Sequence, residues 1–261
     1  MLLAIDVGNT NTVFALHDGR DFVASWRCNT ESVRTADQYF VWLNQLMRHS
    51  GHDPADIESV VISNVAPAVL FNLRLLCDRY FDTRPLVVGK DGCRLPVDVR
   101  VDNPREVGAD RLVNTVAAYE TYGPNLIVVD FGTATTFDVV GRDGAYVGGV
   151  IAPGINLSLS ALHAAAAHLP HIDVTMPQKV VGTNTVECMQ SGVYWGYIGL
   201  IEGICTRISA EKEREMTVLA TGGLAPLFAR GSNLIKHVDG ELTMRGLVLI
   251  HRHNLMDSHD R

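Results

Sequence analysis

The same order of residues occurs twice in this chain, at residues 2–14 and again at residues 126–138. Each copy begins with an apolar run that ends in an aspartate, Asp6 in the first and Asp130 in the second. Each then turns through glycine and short hydroxyl or amide residues into a second apolar run. This order predicts a β-hairpin whose first strand is buried. The two copies lie about half of the 261-residue chain apart, so the pattern indicates two similar halves produced by duplication.

The turn of each hairpin is suited to binding phosphate. Nothing larger than threonine or asparagine lies in it, so successive backbone N–H groups can surround phosphate oxygens. The flanking aspartates can bind the cations that accompany phosphates. One such hairpin is usually an ordinary tight turn, but two in equivalent places predict a nucleotide bound between the halves of a duplicated fold.

Composition and charge disfavour several classes of protein. Apolar residues make up 47% of the chain and charged residues 20%, which is enough for a globular core. The net charge is −7 without any basic run, so neither nucleic acid nor an anionic membrane is expected as a partner. The chain begins on an apolar strand that reaches Asp6 at once, unlike a signal peptide. The five cysteines are scattered without a CxxC pair, which predicts reduced thiols in a cytoplasmic protein.

Hydrophobic periodicity and turn residues predict alternating strands and helices. The expected strands cover about 2–7, 12–17, 22–27, 59–63, 85–88, 126–140 (a hairpin), 145–151 and 216–220; the expected helices cover about 35–49, 69–80, 104–122, 155–168, 185–208, 243–253 and a segment from 225. Asn103 is the predicted cap of the helix that enters through Pro104. In the helix at 185–208, Gly192, Gly196, Gly199 and Gly203 form a small-residue face, which predicts close contact with another helix inside the domain or across a dimer.

This layout is that of the actin-like ATPase fold: an α/β, duplicated ribonuclease-H-like architecture with two mixed sheets flanked by helices and a nucleotide cleft between them. Thr221-Gly222-Gly223 stands where that fold places the turn that packs on adenosine. The predicted N-terminal domain, residues 1–123, contains the first phosphate hairpin and the segment at 108–111. The predicted C-terminal domain, residues 124–261, contains the second hairpin and the adenosine turn.

The segment Gly108-Ala109-Asp110-Arg111 places a carboxylate beside a guanidinium. A surface ion pair is the ordinary explanation of such a dipeptide. A kinase that acts on an alcohol, however, needs a carboxylate to orient or accept the hydroxyl proton, and a neighbouring arginine can bind a substrate carboxylate through two hydrogen bonds. The P-loop, GxGxxG, GxSxG and HExxH motifs of other common enzymes do not occur in the sequence.

In combination these segments resemble type III pantothenate kinase, in the order of that family and over nearly the whole chain. The matching segments are DVGNTNT at 6–12, GADR at 108–111, DFGTATTFD at 130–138, GGVIAPG at 148–154, GTNT at 182–185 and TGG at 221–223. The resemblance implies an enzyme that phosphorylates pantothenate to 4'-phosphopantothenate with ATP, the first step of coenzyme A biosynthesis. The alternative is a non-catalytic regulatory homologue of the Bvg accessory factor type. Another small-molecule kinase of the superfamily is disfavoured because the chain has little room for a sugar-binding insertion.

The resemblance also implies a role for each matched residue. Asp110 is the implied general base, and pantothenate is held by Gly108, Ala109, Asp110, Arg111 and Thr185. ATP and its phosphates are held by Asp6, Val7, Gly8, Asn9, Thr10, Asn11, Thr12, Val13, Gly132, Thr133, Gly222 and Gly223. Asp6 acts through the phosphates on Mg²⁺ or another divalent cation, and Asp130 binds K⁺ or NH₄⁺. For Asn9 and Thr12, capping of the turn without any ligand stays an alternative.

The implied assembly is a homodimer, with Thr185 near its interface. One position departs from the family pattern: Val101 stands two residues before Asn103-Pro104, where the family often has an aromatic residue. The resemblance implies that this departure loosens one wall of the expected pantothenate pocket. It therefore bears on substrate affinity more than on the reaction.

Overall fold

The structure is a computed structural model that describes residues 1–90, 92–166 and 168–259, the last three by their backbone alone. Contacts divide the chain into two compact units. The first unit comprises Met1–Asp98, Asp102–Ala117 and the segment from Leu242; the second comprises Val99–Val101 and Ala118–Glu241. The units follow contacts and not chain order, so the domain boundary at residues 123 and 124 stays a prediction. None of the described helices combines the length and hydropathy needed to cross a membrane.

Strands and helices alternate along the chain. In order they are β1 (Leu2–Val7), β2 (Asn11–His17), β3 (Phe22–Asn29), α1 (Ala36–His49), β4 (Ser59–Asn64), α2 (Pro67–Phe81), β5 (Leu86–Val87), α3 (Ala109–Tyr122), β6 (Leu126–Phe131), β7 (Ala134–Val140), β8 (Tyr146–Pro153), α4 (Ile155–Ala165), α5 (Thr185–Glu211), β9 (Thr217–Gly222), α6 (Ala225–Ala229), β10 (Ile235–Val238) and α7 (Leu242–His259). Short 3-10 turns cover Pro54–Asp56 and Pro104–Glu106.

Each unit contains a five-stranded mixed sheet, and the two sheets have the same topology. The order is β3-β2-β1-β4-β5 in the first unit and β8-β7-β6-β9-β10 in the second. In both, the first three strands are antiparallel neighbours, and the last two run parallel to the central strand. The predicted α/β fold, with two mixed sheets of ribonuclease-H-like topology, is confirmed.

The duplication extends to the burial of single residues. The alternation of buried and exposed positions is the same in β1 and β6, in β2 and β7, and in β4 and β9. The register is also repeated: Asp6 lies opposite Ser63 on the parallel neighbour strand, and Asp130 lies opposite Thr221. In each half, the next-to-last residue of the central strand is therefore an aspartate beside a hydroxyl group.

The alternation of side chains along β1 decides which helix its aspartate meets. Leu3, Ile5 and Val7 belong to the core formed with α1 and α2, and burial of one such side chain contributes about 1.5–3 kcal/mol. Leu2 and Ala4 belong to a second core, formed with α3 and α7 on the other face. Asp6 follows the period of Leu2 and Ala4, so its carboxylate is on the side of the sheet that α3 covers.

Several local predictions were wrong. The continuous helix over 104–122 is a 3-10 turn followed by α3, which begins at Ala109, and the Asn103 side chain makes no capping hydrogen bond within the described residues. Strand β10 was not expected from its short, mostly exposed sequence. The helix predicted to reach residue 168 ends at Ala165, and Ala167 lies outside the described residues.

The small-residue face of α5 does not pack inside its unit. Gly192, Gly196 and Gly199 are exposed. A Cβ atom added at any of them would meet no atom of the described chain within 4 Å. Of the two alternatives that the sequence left open, contact inside the domain is therefore wrong for these three glycines.

Candidate functional site

The first hairpin turn is held by a hydrogen bond from the Gly8 N–H to the Asn11 carbonyl, at 2.9 Å. A Cβ atom at residue 8 would stand 3.1 Å from that carbonyl oxygen, which is tighter than an ordinary contact and favours glycine there. Asn9 and Thr10 at the tip are exposed, whereas Thr12 is completely buried. The tip therefore offers the backbone and short side chains that a phosphate group needs.

Not every predicted ATP-binding residue offers its side chain. Val7 is fully buried in the core, so only its backbone is available. Val13 lies opposite Asp6 on the neighbouring strand and is partly buried. Thr12 lies opposite Val7, so its side chain is directed to the core face of the sheet and away from the face of Asp6.

Burial raises the pKa of Asp6 to about 6. The neighbouring Ser63 hydroxyl opposes this increase, the Asp110 carboxylate adds to it, and the Arg27 guanidinium lowers it. Asp6 and Asp110 are therefore close enough to repel each other when both are ionised. A cation beside Asp6 would remove this cost.

Asp110 lies in the first turn of α3, where the helix dipole favours a carboxylate. Its Oδ1 accepts a hydrogen bond of 2.8 Å from the Arg111 N–H. A Cβ atom at Gly108 would lie 2.5 Å from this Oδ1, so the side chain can fold back over its own helix end only because residue 108 is glycine. Burial raises the pKa of Asp110, while the Arg111 N–H and guanidinium oppose that increase. Ala109 is buried in the core, which leaves only its backbone for a ligand.

The residues around Asp6 fit a divalent cation that is held mainly by phosphates. Within the described ranges, no group of three or more His, Cys, Asp or Glu side chains is placed to hold a metal ion. Mg²⁺ typically keeps several waters and binds through one or two carboxylates together with substrate phosphates. The single Asp6 carboxylate, beside a hairpin turn that can bind phosphate, matches that requirement.

The second hairpin is built by close backbone packing. The Gly132 N–H donates to the Ala134 carbonyl at 3.1 Å, and both Gly132 and Thr133 are exposed. A Cβ atom at Gly154, directly after β8, would come within 2.1 Å of the Thr133 carbonyl oxygen. The chain after β8 therefore lies directly against the turn.

Gly222 ends β9 beside Asp130. Its φ is +88°, and an added Cβ atom would lie 2.7 Å from the Phe131 carbonyl oxygen and 2.9 Å from Asp130 Oδ1. Two oxygen atoms thus lie close to this glycine. Gly223 is exposed, and no described atom lies within 4 Å of its Cβ position.

Thr185 is the exposed first residue of α5 in the second unit. The Asn184 side chain caps this helix by accepting from the Glu187 N–H at 3.0 Å. The Glu187 carboxylate accepts from the Thr183 N–H and hydroxyl at 2.8 and 3.0 Å, and these bonds lower its pKa. Thr185 therefore projects from a firmly held helix start.

The structure thus brings Asp6, the first hairpin and Asp110 together in the first unit, and Asp130, the second hairpin and Gly222 together in the second. Sequence reasoning missed the hydroxyl groups of Ser63 and Thr221 beside the two aspartates. The signal that could have found them is the repeat itself, because both residues stand one position before the end of the fourth strand of their half.

The repeated sheets and hairpins define a protein of the actin-like ATPase class. Solved structures of similar fold include a 2-hydroxyisocaproyl-CoA dehydratase activator from Clostridium difficile with bound ADPNP, at a TM-score of 0.56 and 11% identity, covering 100% of this chain and 97% of that one. Another is described as a conserved Baf family transcriptional activator from Campylobacter jejuni, at a TM-score of 0.60 and 20% identity, covering 97% and 98% of the two chains. At such identities the similarity shows the fold alone.

The profile of the family described as type III pantothenate kinase matches residues 2–207. Type III pantothenate kinase of Dinoroseobacter shibae is 66% identical over 97% of this chain and 99% of its own length. That of a Ruegeria species is 65% identical over 97% of each. The chain belongs to the type III pantothenate kinase family.

Proposed function

We propose that this protein transfers the γ-phosphoryl group of ATP to the hydroxyl group of pantothenate, giving ADP and 4'-phosphopantothenate. This is the first step of coenzyme A biosynthesis. The observation that carries the proposal is the pairing of the first phosphate hairpin and Asp6 with Asp110 inside one compact unit of a chain that belongs to this family.

Asp110 is the proposed general base. Its ionised carboxylate accepts the hydroxyl proton as the bond between the pantothenate oxygen and the γ-phosphorus forms and the bond from that phosphorus to the β–γ bridging oxygen breaks. Burial and the Gly108 turn support this role, because they hold one carboxylate oxygen on the Arg111 N–H and leave the other for substrate. Gly108–Arg111 and Thr185 are the proposed pantothenate contacts, and Val101 replaces an aromatic wall.

The phosphates are proposed to bind at the two hairpin turns, with adenosine at Gly222 and Gly223. Mg²⁺ or another divalent cation, held by the phosphates and Asp6, supplies charge neutralisation when it is bound. K⁺ or NH₄⁺ is proposed at Asp130, where the Phe131 carbonyl provides a second oxygen atom. A cation there lowers the cost of placing a triphosphate beside two carboxylates.

A coupled assay of ADP release with pantothenate, Mg²⁺ and ATP, with and without K⁺, tests the reaction. Asp110→Asn is expected to lower kcat by about 10²–10⁴-fold while it retains binding of a non-hydrolysable ATP analogue. Asp78→Asn, the same change at an exposed aspartate of α2, which covers the other face of the sheet from α3, is the matched control. Turnover of Asp110→Asn close to that of the unchanged protein would reject Asp110 as the base.

The second candidate is a regulatory homologue that binds nucleotide without turnover. A Campylobacter jejuni protein of similar fold is described as a Baf family activator, which raises this alternative, although a likeness at 20% identity shows the fold alone. Binding of the ATP analogue together with no pantothenate-dependent ADP release would support this alternative. Retention of Asp6, Asp110 and Asp130 favours the enzyme, since a protein without turnover has no chemical need for all three.

A homodimer is also part of the proposal. The open glycine face of α5 would let a helix of a second copy approach closely, because no described atom lies within 4 Å of the Cβ positions of Gly192, Gly196 and Gly199.

A further inference from the structure

Thr30, the residue directly after β3, contacts the first phosphate hairpin at three points. Its N–H donates to the Thr10 carbonyl at 2.9 Å. Its hydroxyl donates to the Gly8 carbonyl at 2.8 Å, and its Oγ1 also lies 2.9 Å from the Thr12 Oγ1. All four residues belong to the first unit, so these contacts are formed within one compact body.

The direction of the hydrogen bond between the Thr12 and Thr30 hydroxyl groups follows from the number of hydrogens available. A threonine hydroxyl has one hydrogen and two lone pairs. Because Thr30 gives its hydrogen to the Gly8 carbonyl, Thr12 is the donor in the Thr12–Thr30 bond. The buried Thr12 hydroxyl therefore uses its only hydrogen inside the protein, which favours a supporting role over direct contact with phosphate.

These bonds fix the direction of the N–H groups in the turn. The carbonyl of residue 8 and the N–H of Asn9 belong to one planar trans peptide group and point in opposite directions. A hydrogen bond that holds the Gly8 carbonyl toward Thr30 therefore holds the Asn9 N–H away from it, at the exposed tip. The Thr10 carbonyl and the Asn11 N–H also share one peptide group, so the bond from Thr30 to that carbonyl fixes the direction of the Asn11 N–H in the same way.

We propose that Thr30 is a positioning residue for the nucleotide: through the Gly8 and Thr10 carbonyls and the Thr12 hydroxyl it fixes the turn whose N–H groups receive the phosphates. This inference rests on the proposed function, because it assumes that the first hairpin binds ATP. It assigns a role to a residue outside the hairpin, about twenty positions away in the chain.

The second hairpin shows that these Thr30 contacts, here called the clamp, belong to the first hairpin and are not a general property of the fold. Register places Asn29 opposite Asn11 and Pro153 opposite Ala134, so Gly154 occupies the place of Thr30. There the backbone lies against the turn directly, and a side chain would collide with the Thr133 carbonyl. The hydroxyl of Thr135, the counterpart of Thr12, has no hydrogen-bond partner among the described residues.

The test compares Thr30→Val, which keeps the shape and the backbone N–H but removes the hydroxyl, with Thr30→Ser, which keeps the hydroxyl. Thr30→Val is expected to raise KM for ATP and Kd for a non-hydrolysable ATP analogue with Mg²⁺ about threefold to tenfold, the effect of one typical hydrogen bond. KM for pantothenate is expected to change less than about twofold. Thr30→Ser is expected to restore ATP affinity to within about twofold of the unchanged protein.

Unchanged ATP affinity in a folded Thr30→Val protein, or an equal loss in Thr30→Ser, would overturn the inference. If Thr30→Val does not fold, Thr12→Val decides, because it removes the hydroxyl that donates to Thr30. The Thr12 hydroxyl also interacts with the Tyr39 hydroxyl, so Tyr39→Phe is the control for that second contact. Weaker analogue binding in Thr12→Val than in Tyr39→Phe supports the clamp, and unchanged binding in Thr12→Val overturns it. Analogue binding needs no turnover, which separates the two proposals. A protein that binds the analogue but does not phosphorylate pantothenate refutes the proposed function and leaves the Thr30 comparison valid.

Discussion

Gly222 provides the sharpest test of how the second hairpin is built. It ends β9 with φ +88°, a conformation in which a residue with a side chain is strained. An added methyl group would also lie 2.7 Å from the Phe131 carbonyl oxygen and 2.9 Å from Asp130 Oδ1. Gly222→Ala therefore combines backbone strain with overlap against a strand that cannot move without breaking its register.

The two costs can be estimated separately. A left-handed conformation costs an L-residue about 1–2 kcal/mol. Overpacking of a buried site typically costs about 1–3 kcal/mol. Their sum, about 2–5 kcal/mol, is a large part of the roughly 5–15 kcal/mol that stabilises an ordinary domain.

Urea unfolding followed by far-UV circular dichroism measures this loss. Gly223→Ala is the matched control, because no described atom lies within 4 Å of its Cβ position and its φ is outside the left-handed range. We expect its free energy of unfolding to stay within about 0.5 kcal/mol of the unchanged protein. Equal free energies for the two variants would refute the close packing of Gly222 on β6.

Three further outcomes are expected. Burial raises the pKa of Asp110 above the ordinary 3.8. Because a general base must be ionised, kcat/KM should fall as the pH drops through that raised pKa. An acidic decline in the pH–rate profile that is centred at or below 3.8 would contradict this expectation. Thr12→Val should lower the free energy of unfolding by about 0.5–1.5 kcal/mol, because the Thr12 hydroxyl is hydrogen-bonded. Thr135→Val should leave that free energy unchanged or raise it, because the Thr135 hydroxyl has no partner among the described residues. Urea titrations in which Thr135→Val is the less stable variant would contradict this assignment of the two hydroxyl groups. Gly196→Arg should give a folded monomer in size-exclusion chromatography with light scattering. The chain should still fold, because no described atom lies within 4 Å of this Cβ position and arginine favours helix, but the large side chain would block a second helix. A dimer that persists would exclude the α5 face as the interface.

The duplicated hairpin was sufficient to predict most of the fold. An apolar run that ends in Asp6 and recurs at Asp130 fixes two central strands, and the strands next to them follow from alternation. Strand β10 was missed because three of its four residues are exposed, so it has no apolar period of its own. The repeat still contains the information, since a second half equivalent to the first requires a counterpart of β5.

The site was less predictable where it depends on hydrogen bonds rather than on apolar periodicity. Pro104 and Glu106 match a helix start, yet the chain makes a 3-10 turn there and restarts at Ala109. The break brings Asp110 into a first helical turn, where Gly108 lets its carboxylate fold back. A contact between residues about twenty positions apart, such as that of Thr30 with Gly8, leaves no local pattern in the sequence.

The two hairpins join strands of matching burial and pairing, but the first turn has one residue more than the second, and the two turns are held in different ways. This difference explains why equivalent positions tolerate different changes. In the first, side-chain hydroxyls connect the turn to the end of β3, so the hydroxyl group of Thr30 matters. In the second, the chain after β8 touches the turn directly, so any side chain at Gly154 is excluded whatever its chemistry. The two halves therefore share their sheet topology, whereas each turn is stabilised in its own way. Exchanging the two residues, with threonine at 154 or glycine at 30, should damage both halves for opposite reasons: overlap in one, and loss of hydrogen bonds in the other.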